Sequence, residues 1–169
     1  MDNIKVLISE EELQKRVKEL AQEIKKDYKS KTIHLICILK GSIFFTCDLA
    51  KYIEDNVKID FIRISSYINN ESGDIELLDG LLPDIKGEDI LVIEDIVDSG
   101  KTMHYLIPYL ENKEPNSIKV CTLLDKPSRR KYEYIPDYTG FVIEDNFVLG
   151  YGLDYDQNYR NLPYIGYIK

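Results

Sequence analysis

Two hydrophobic periods alternate along this chain, and each change of period marks an element. Residues 4–8, IKVLI, are a short apolar run that predicts a strand. Ser9-Glu10-Glu11-Glu12 then has the form of a capping box, with Ser at the N-cap and Glu three residues later. Leu13, Val17, Leu20, Ala21 and Ile24 recur at helical spacing and carry a helix to about Tyr28. TIHLICIL at 32–39 is continuously apolar and branched, the pattern of a central strand covered on both faces. A helix is expected from Ser42 to Asp55, and VKIDFIRI at 57–64 reads as the next strand. DILVI at 89–93 and SIKVCTLL at 117–124 are further strands. Between them a helix from Gly100 to Leu110 contains Pro108, which is expected to kink it or stop it early. Short strands are expected near 75–78, 139–143 and 147–149, and the Tyr-rich tail from 151 reads as irregular. Strands alternating with helices predict an α/β fold with a mainly parallel sheet and crossover helices.

Residues 65–88 break the alternation. Ser65, Ser66, Asn69, Asn70, Ser72, Gly73, Gly80, Pro83 and Gly87 favour turns, so a long loop is expected. Long loops in compact domains are uncommon and are often active-site lids.

Composition narrows the class. The 169 residues suit one domain spanning 1–169. Thirty acidic residues against 22 Lys and Arg give a net charge of −8. That balance disfavours a nucleic-acid partner and an anionic membrane surface, both of which need basic surface. Cys37, Cys47 and Cys121 form no CxxC pair, so neither a disulfide framework nor a zinc site is expected. The first 30 residues are charged throughout and lack the pattern of a signal peptide. The longest apolar region, Thr32 to Cys47, is interrupted by Lys40 and is too short to span a bilayer. A cytoplasmic protein is expected.

Chemistry concentrates in DILVIEDIVDSGKT, residues 89–102. A buried strand leads through the acidic pair Glu94-Asp95 to Asp98-Ser99-Gly100-Lys101-Thr102, which opens a helix. Backbone N–H groups and the helix dipole at such a turn favour an anion. A Walker A loop would need Gly at position 95, where Asp95 stands, and a carboxylate there would repel phosphate. The segment instead offers two roles. Amides and hydroxyls from Ser99 to Thr102 can grip a phosphate, while Glu94 and Asp95 can hold a sugar diol or lie near magnesium.

This layout resembles the binding motif for 5-phosphoribosyl 1-pyrophosphate (PRPP) in type I phosphoribosyltransferases. Further segments recur in order in hypoxanthine-guanine phosphoribosyltransferases. They are Leu39-Lys40-Gly41, Ser66-Tyr67, Lys126, Phe147-Val148, Gly150-Tyr151, Leu153-Asp154-Tyr155 and Arg160-Asn161-Leu162. The resemblance spans about residues 5–165. It implies the type I phosphoribosyltransferase fold, with a hood built from about 1–10 and 145–169 and a flexible loop at about 65–80. It places the PRPP 5′-phosphate and ribose on Glu94, Asp95, Asp98, Ser99, Gly100, Lys101 and Thr102. Pyrophosphate falls to Lys40, Gly41, Ser66, Tyr67 and Arg160, with Arg130 near that side and Arg129 facing solvent. The purine falls to Lys126, Phe147, Val148 and Asp154. Mg2+ is the implied cofactor, held by Glu94, Asp95 and Asp154, and Asp98 is the implied general base. His34 and His104 read as structural.

The implied reaction converts hypoxanthine, and guanine, with PRPP into the nucleoside monophosphate and pyrophosphate, in a homodimer or homotetramer. Two alternatives stay open: the same fold with preference for xanthine or another purine, and a non-catalytic regulator that keeps the PRPP site.

Overall fold

The computed structural model describes residues 4–29, 31–54, 56–64, 77–79 and 84–168, with 77–79 described as backbone only. Strand β1 (Ile4–Ile8) leads into helix α1 (Glu10–Tyr28). The capping box is formed: Ser9 accepts from the Glu12 amide, and the Glu12 carboxylate accepts from the Ser9 amide at 2.8 Å. Reciprocal capping of this kind satisfies two of the donors a helix start leaves open. Leu13, Val17, Leu20, Ala21 and Ile24 are all buried, so the apolar stripe faces the core.

Strand β2 (Ile33–Leu39), helix α2 (Ile43–Ile53), strand β3 (Val57–Ile64), strand β4 (Leu77–Asp79) and strand β5 (Asp89–Val97) follow. Helix α3 (Lys101–Glu111), strand β6 (Ser117–Asp125), strand β7 (Tyr138–Val142), strand β8 (Val148–Leu149) and strand β9 (Ile165–Ile168) complete the described elements. The main sheet has the order β4-β3-β2-β5-β6-β7. Its pairs are parallel from β3 across to β7, and β4 joins β3 antiparallel. Helices α1 and α2 close one face through a core that includes Leu13, Leu20, Phe45, Leu49 and Leu91. Helix α3 closes the other with Met103, Leu106 and Leu110 against Ile36, Ile90 and Val92. β2 lies between them, buried from Ile33 to Ile38 as its unbroken apolar run requires. A second, antiparallel sheet joins β1, β9 and β8.

Three expectations change. β5 continues to Val97, so Glu94 and Asp95 lie within the strand and not beyond it. The cause is the partner: β6 is equally long, and its register continues through Glu94↔Thr122, Ile96↔Leu124 and Val97↔Asp125. Pro108 does not stop α3, which runs on to Glu111. Pro108 is exposed, while Leu106 and Leu110 on either side are buried against the sheet. The backbone acceptor that proline leaves without a partner can therefore meet water. The tail is irregular only to Tyr164, because Ile165–Ile168 finds edge partners in both β1 and β8. The described part of the expected loop strand is Leu77–Asp79; residues 65–76 and 80 of the expected loop, Ser66 and Tyr67 among them, lie outside the described residues. Among the described residues, no helix is long and apolar enough to cross a membrane.

Candidate active site

Parallel strands point their carboxyl ends the same way, so the loops after β2, β5 and β6 gather at one edge of the main sheet. Asp98, Ser99 and Gly100 make the turn from β5 into α3. Gly100 is the N-cap, with φ 80°, and a side chain there would run into the carbonyl of Tyr132. Only glycine combines that left-handed backbone with so close an approach. A small cavity of about 70 Å³ lies over this turn, lined by Asp98 through Met103 and by the end of β5. The start of α3, with Ser99, Lys101 and Thr102, lines it, and such a set of amide, hydroxyl and cationic residues suits a phosphate group.

The shape of that turn is held from thirty residues further along. Ser99 O accepts from the amides of Lys131 and Tyr132, both at 2.9 Å. Val97 O accepts from the Lys126 amide at 3.0 Å. Arg130 donates from Nη1 to Val97 O at 3.0 Å and Asp98 O at 2.5 Å, and its Nη2 pairs with Asp125. Arg130 therefore braces the backbone of the phosphate cradle. Arg129 is exposed, as expected, and its Nε also donates to Asp98 Oδ1 at 3.2 Å.

The acidic pair sits deeper. Glu94 is 6% exposed, and Asp95 is half-buried beside it. Burial, and then the charge of Asp95, hold the Glu94 carboxyl well above the usual range. Burial also raises Asp95, against the hydrogen bonds it accepts, including one of 2.9 Å from the Ile96 amide. Two adjacent buried carboxylates are costly unless something positive joins them.

Asp95 is also where the loops after β2 and β8 meet β5. A side chain on Gly41 would overlap the Asp95 carboxylate, and one on Gly152 would overlap Gly41 O. Around this contact lie Lys40, whose Nζ donates to Gln157 Oε1 at 3.2 Å, and Arg160, which donates to Gly152 O at 2.7 Å. Arg160 also pairs with Asp154 at 2.8 Å, and Asp154 accepts from the Gln157 amide at 2.8 Å. The structure thus brings Lys40, Gly41, Asp95, Asp154 and Arg160 together.

On the far side of the cradle, Lys126 is only 6% exposed, and its Nζ donates to Asn146 O at 2.6 Å. Phe147 follows, 54% exposed, with its ring edge-on to Tyr155 at 5.6 Å. An aromatic left open beside a buried ammonium suits a flat, oxygen-bearing ring. Val148 is buried in β8. His34 is buried at the opposite end of β2, where its ring nitrogens meet Glu88 at 2.6 Å and Asp60 at 2.7 Å. His104 stacks beside Tyr132 at 4.7 Å.

Among the described residues, no three His, Cys, Asp or Glu side chains cluster into a metal nest. Glu94 and Asp95 are adjacent, but Asp154 is engaged by Arg160. The donors are nevertheless all hard carboxylate oxygens. Magnesium usually takes one or two of these and completes its shell with water and substrate phosphates, so the residues fit an ion that arrives with a polyphosphate.

Sequence reasoning missed Gln157, Asn146 and Tyr132, and the hydrogen bonds that Arg129 and Arg130 make to the β5–α3 turn. Their parts depend on contacts between distant segments, which no local spacing encodes.

The phosphoribosyl transferase domain family matches residues 8–156 of this chain. A hypoxanthine-guanine phosphoribosyltransferase of Bacillus subtilis is 48% identical over 98% of this chain and 93% of its own length. A bifunctional TilS/HprT protein of Listeria monocytogenes is 45% identical over 98% of this chain, which spans 26% of that larger protein. The crystal structure of a hypoxanthine-guanine phosphoribosyltransferase from Bacillus anthracis superposes with a TM-score of 0.93 at 46% identity, covering 99% of this chain and 100% of that one. With its strand order, its β5–α3 cradle and near full-length identity of this kind, the chain belongs to the hypoxanthine-guanine phosphoribosyltransferases, a branch of the phosphoribosyl transferase domain family.

Proposed function

We propose that this chain transfers the 5-phosphoribosyl group of PRPP to hypoxanthine, and to guanine, releasing pyrophosphate in purine salvage. The observation that carries the reading is the β5–α3 turn. It pairs a helix-start cradle of phosphate size with a carboxylate, Asp98, in its lining, and the Lys126 amide bonds Val97 O, one residue before Asp98. The four strongest features of the region, a cradle, a carboxylate pair, a cationic cluster and an open aromatic, match a phosphate, a ribose, a pyrophosphate and a purine in turn.

In this reading Ser99, Gly100, Lys101 and Thr102 hold the 5′-phosphate, and Glu94 and Asp95 hold the ribose hydroxyls. Lys40, Gly41 and Arg160, with Ser66 and Tyr67, receive the pyrophosphate. Lys126 donates to the 6-oxo group, Phe147 stacks on the ring, and Val148 and Asp154 meet its edge. Glu94, Asp95 and Asp154 would hold Mg2+ together with substrate oxygens. When bound, the ion offsets pyrophosphate charge and improves it as a leaving group.

The bond from ribose C1′ to pyrophosphate oxygen breaks, and its electron pair leaves with pyrophosphate. A purine ring nitrogen supplies the pair for the new C1′–N bond. The imidazole proton of the base passes to the Asp98 carboxylate. A ribose carrying positive charge would be captured by water, so exclusion of water matters, and we assign that role to the segment 65–80. The small sheet of β1, β9 and β8 serves as the hood over the purine, within a single domain. We assign the chain to the cytoplasm, working on small molecules as a homodimer or homotetramer.

The test is pyrophosphate release from PRPP, Mg2+ and each of hypoxanthine, guanine, xanthine and adenine. Release with hypoxanthine and guanine is expected. No release with any purine overturns the reading.

A further inference from the structure

The Asp98 carboxylate is held from outside the turn that carries it. Arg129, on the short 3-10 turn Pro127–Arg129 after β6, donates from Nε to Asp98 Oδ1 at 3.2 Å. The far end of the same guanidinium is anchored. Its Nη1 reaches both carboxylate oxygens of Asp145, at 3.4 and 3.2 Å. Asp145 Oδ1 in turn lies 4.0 Å from Lys126 Nζ, which bonds the carbonyl of the next residue, Asn146. Charges thus alternate along Asp98, Arg129, Asp145 and Lys126. The two ends of that row are the groups read above as meeting the imidazole N–H and the 6-oxo group, which are neighbours on one edge of a purine.

We propose that Arg129 is a positioning residue that aims the Asp98 carboxylate at the imidazole proton of the incoming base and sets its spacing from Lys126. The inference rests on the reading of Asp98 as the general base. An unheld aspartate samples several staggered rotamers, while proton transfer needs the carboxylate within about 3 Å of the donor. A planar guanidinium anchored on one carboxylate offers its remaining N–H in a fixed direction, so little freedom is lost in holding a second. Arg130 cannot take over, because its guanidinium is spent on Val97 O, Asp98 O and Asp125. The Arg129 side chain is 51% exposed, so its replacement leaves the core untouched.

Steady-state kinetics of Arg129→Gln, Arg129→Lys, Asp98→Asn and the Arg129→Gln, Asp98→Asn pair test this. Arg129→Gln is expected to lower kcat about fivefold or more while KM for PRPP stays within about twofold, since the phosphate cradle is unaltered. Arg129→Lys, which keeps the charge, is expected to recover part of that loss. In the Asp98→Asn background, Arg129→Gln is expected to cost less than about twofold, because no carboxylate remains to be aimed. An Arg129→Gln enzyme with wild-type kcat overturns the proposal, and so does an equal loss in both backgrounds. If Asp98→Asn itself turns over like wild type, the base assignment falls and the inference with it.

Discussion

The hydroxyl of Tyr151 donates a hydrogen bond of 2.7 Å to Asp48 Oδ2, joining positions 103 residues apart. Gln14 donates to the same oxygen at 3.0 Å. Helix α1, helix α2 and the turn after β8 therefore meet on one carboxylate.

Tyr151→Phe removes one of those donors without changing the shape of the core. A hydrogen bond to a charged acceptor contributes about 1.5–3 kcal/mol, and partial exposure of Asp48 puts this one near the low end. The melting temperature should fall by roughly 3–6 °C at neutral pH, read by differential scanning fluorimetry. Burial raises Asp48, but the bonds from Gln14 and Tyr151 outweigh it and hold the carboxyl below its ordinary value. A group depressed in the fold contributes stability above its unfolded pKa and loses it as pH falls through the folded one. The gap between wild type and Tyr151→Phe should therefore narrow below about pH 4. An unchanged melting temperature at neutral pH would show that the bond contributes nothing.

Glu94 has the opposite sign. Burial and the neighbouring Asp95 charge hold its carboxyl well above the usual carboxylate range, so the protonated form favours the fold and stability is lost as pH rises above that range. Glu94→Gln keeps the shape and removes the buried charge. The ligand-free variant should melt higher than wild type at pH 7.5, with the difference closing towards pH 4, while pyrophosphate release falls. Sites that hold charge for function are commonly stabilised when that charge is removed. A lower melting temperature at pH 7.5 would show that the Glu94 charge is already compensated.

Gly100→Ala meets two obstacles at once. The left-handed backbone costs about 1–2 kcal/mol for a residue with a side chain, and the new methyl group is driven into Tyr132 O. The melting temperature should drop by several degrees, and KM for PRPP should rise more than KM for hypoxanthine, because the phosphate cradle moves. Equal effects on the two KM values would count against the cradle assignment.

Chelation separates a structural ion from one carried by substrate. EDTA should abolish pyrophosphate release, and added Mg2+ should restore it, while the melting temperature of the ligand-free protein stays unchanged. Carboxylates that fill an ion's shell only with substrate oxygens give the fold no metal to lose. A fall in melting temperature with EDTA would contradict this arrangement.

Much of the frame was legible in the chain alone. The Ser9 capping box, the stripe from Leu13 to Ile24 and the unbroken apolar run of β2 are local patterns, and they form as read. Errors fell where a neighbour decided the outcome. β5 ran longer because β6 offered a ladder beyond Ile93, and α3 passed through Pro108 because the buried residues beside it held the turn. Ile165–Ile168 became a strand because β1 and β8 flank it.

The candidate site divides along the same line. The residues from Glu94 to Thr102 carry their chemistry in their order, since a strand feeding a helix through small residues makes an anion cradle wherever it occurs. That Arg129 rather than Arg130 meets the Asp98 side chain, that Gly41 abuts Asp95, and that Lys126 is buried on Asn146 were decided by the tertiary structure. Periodicity and capping are properties of a few consecutive residues. Contacts between positions tens of residues apart depend on strand order and register, which the packing of the whole chain sets.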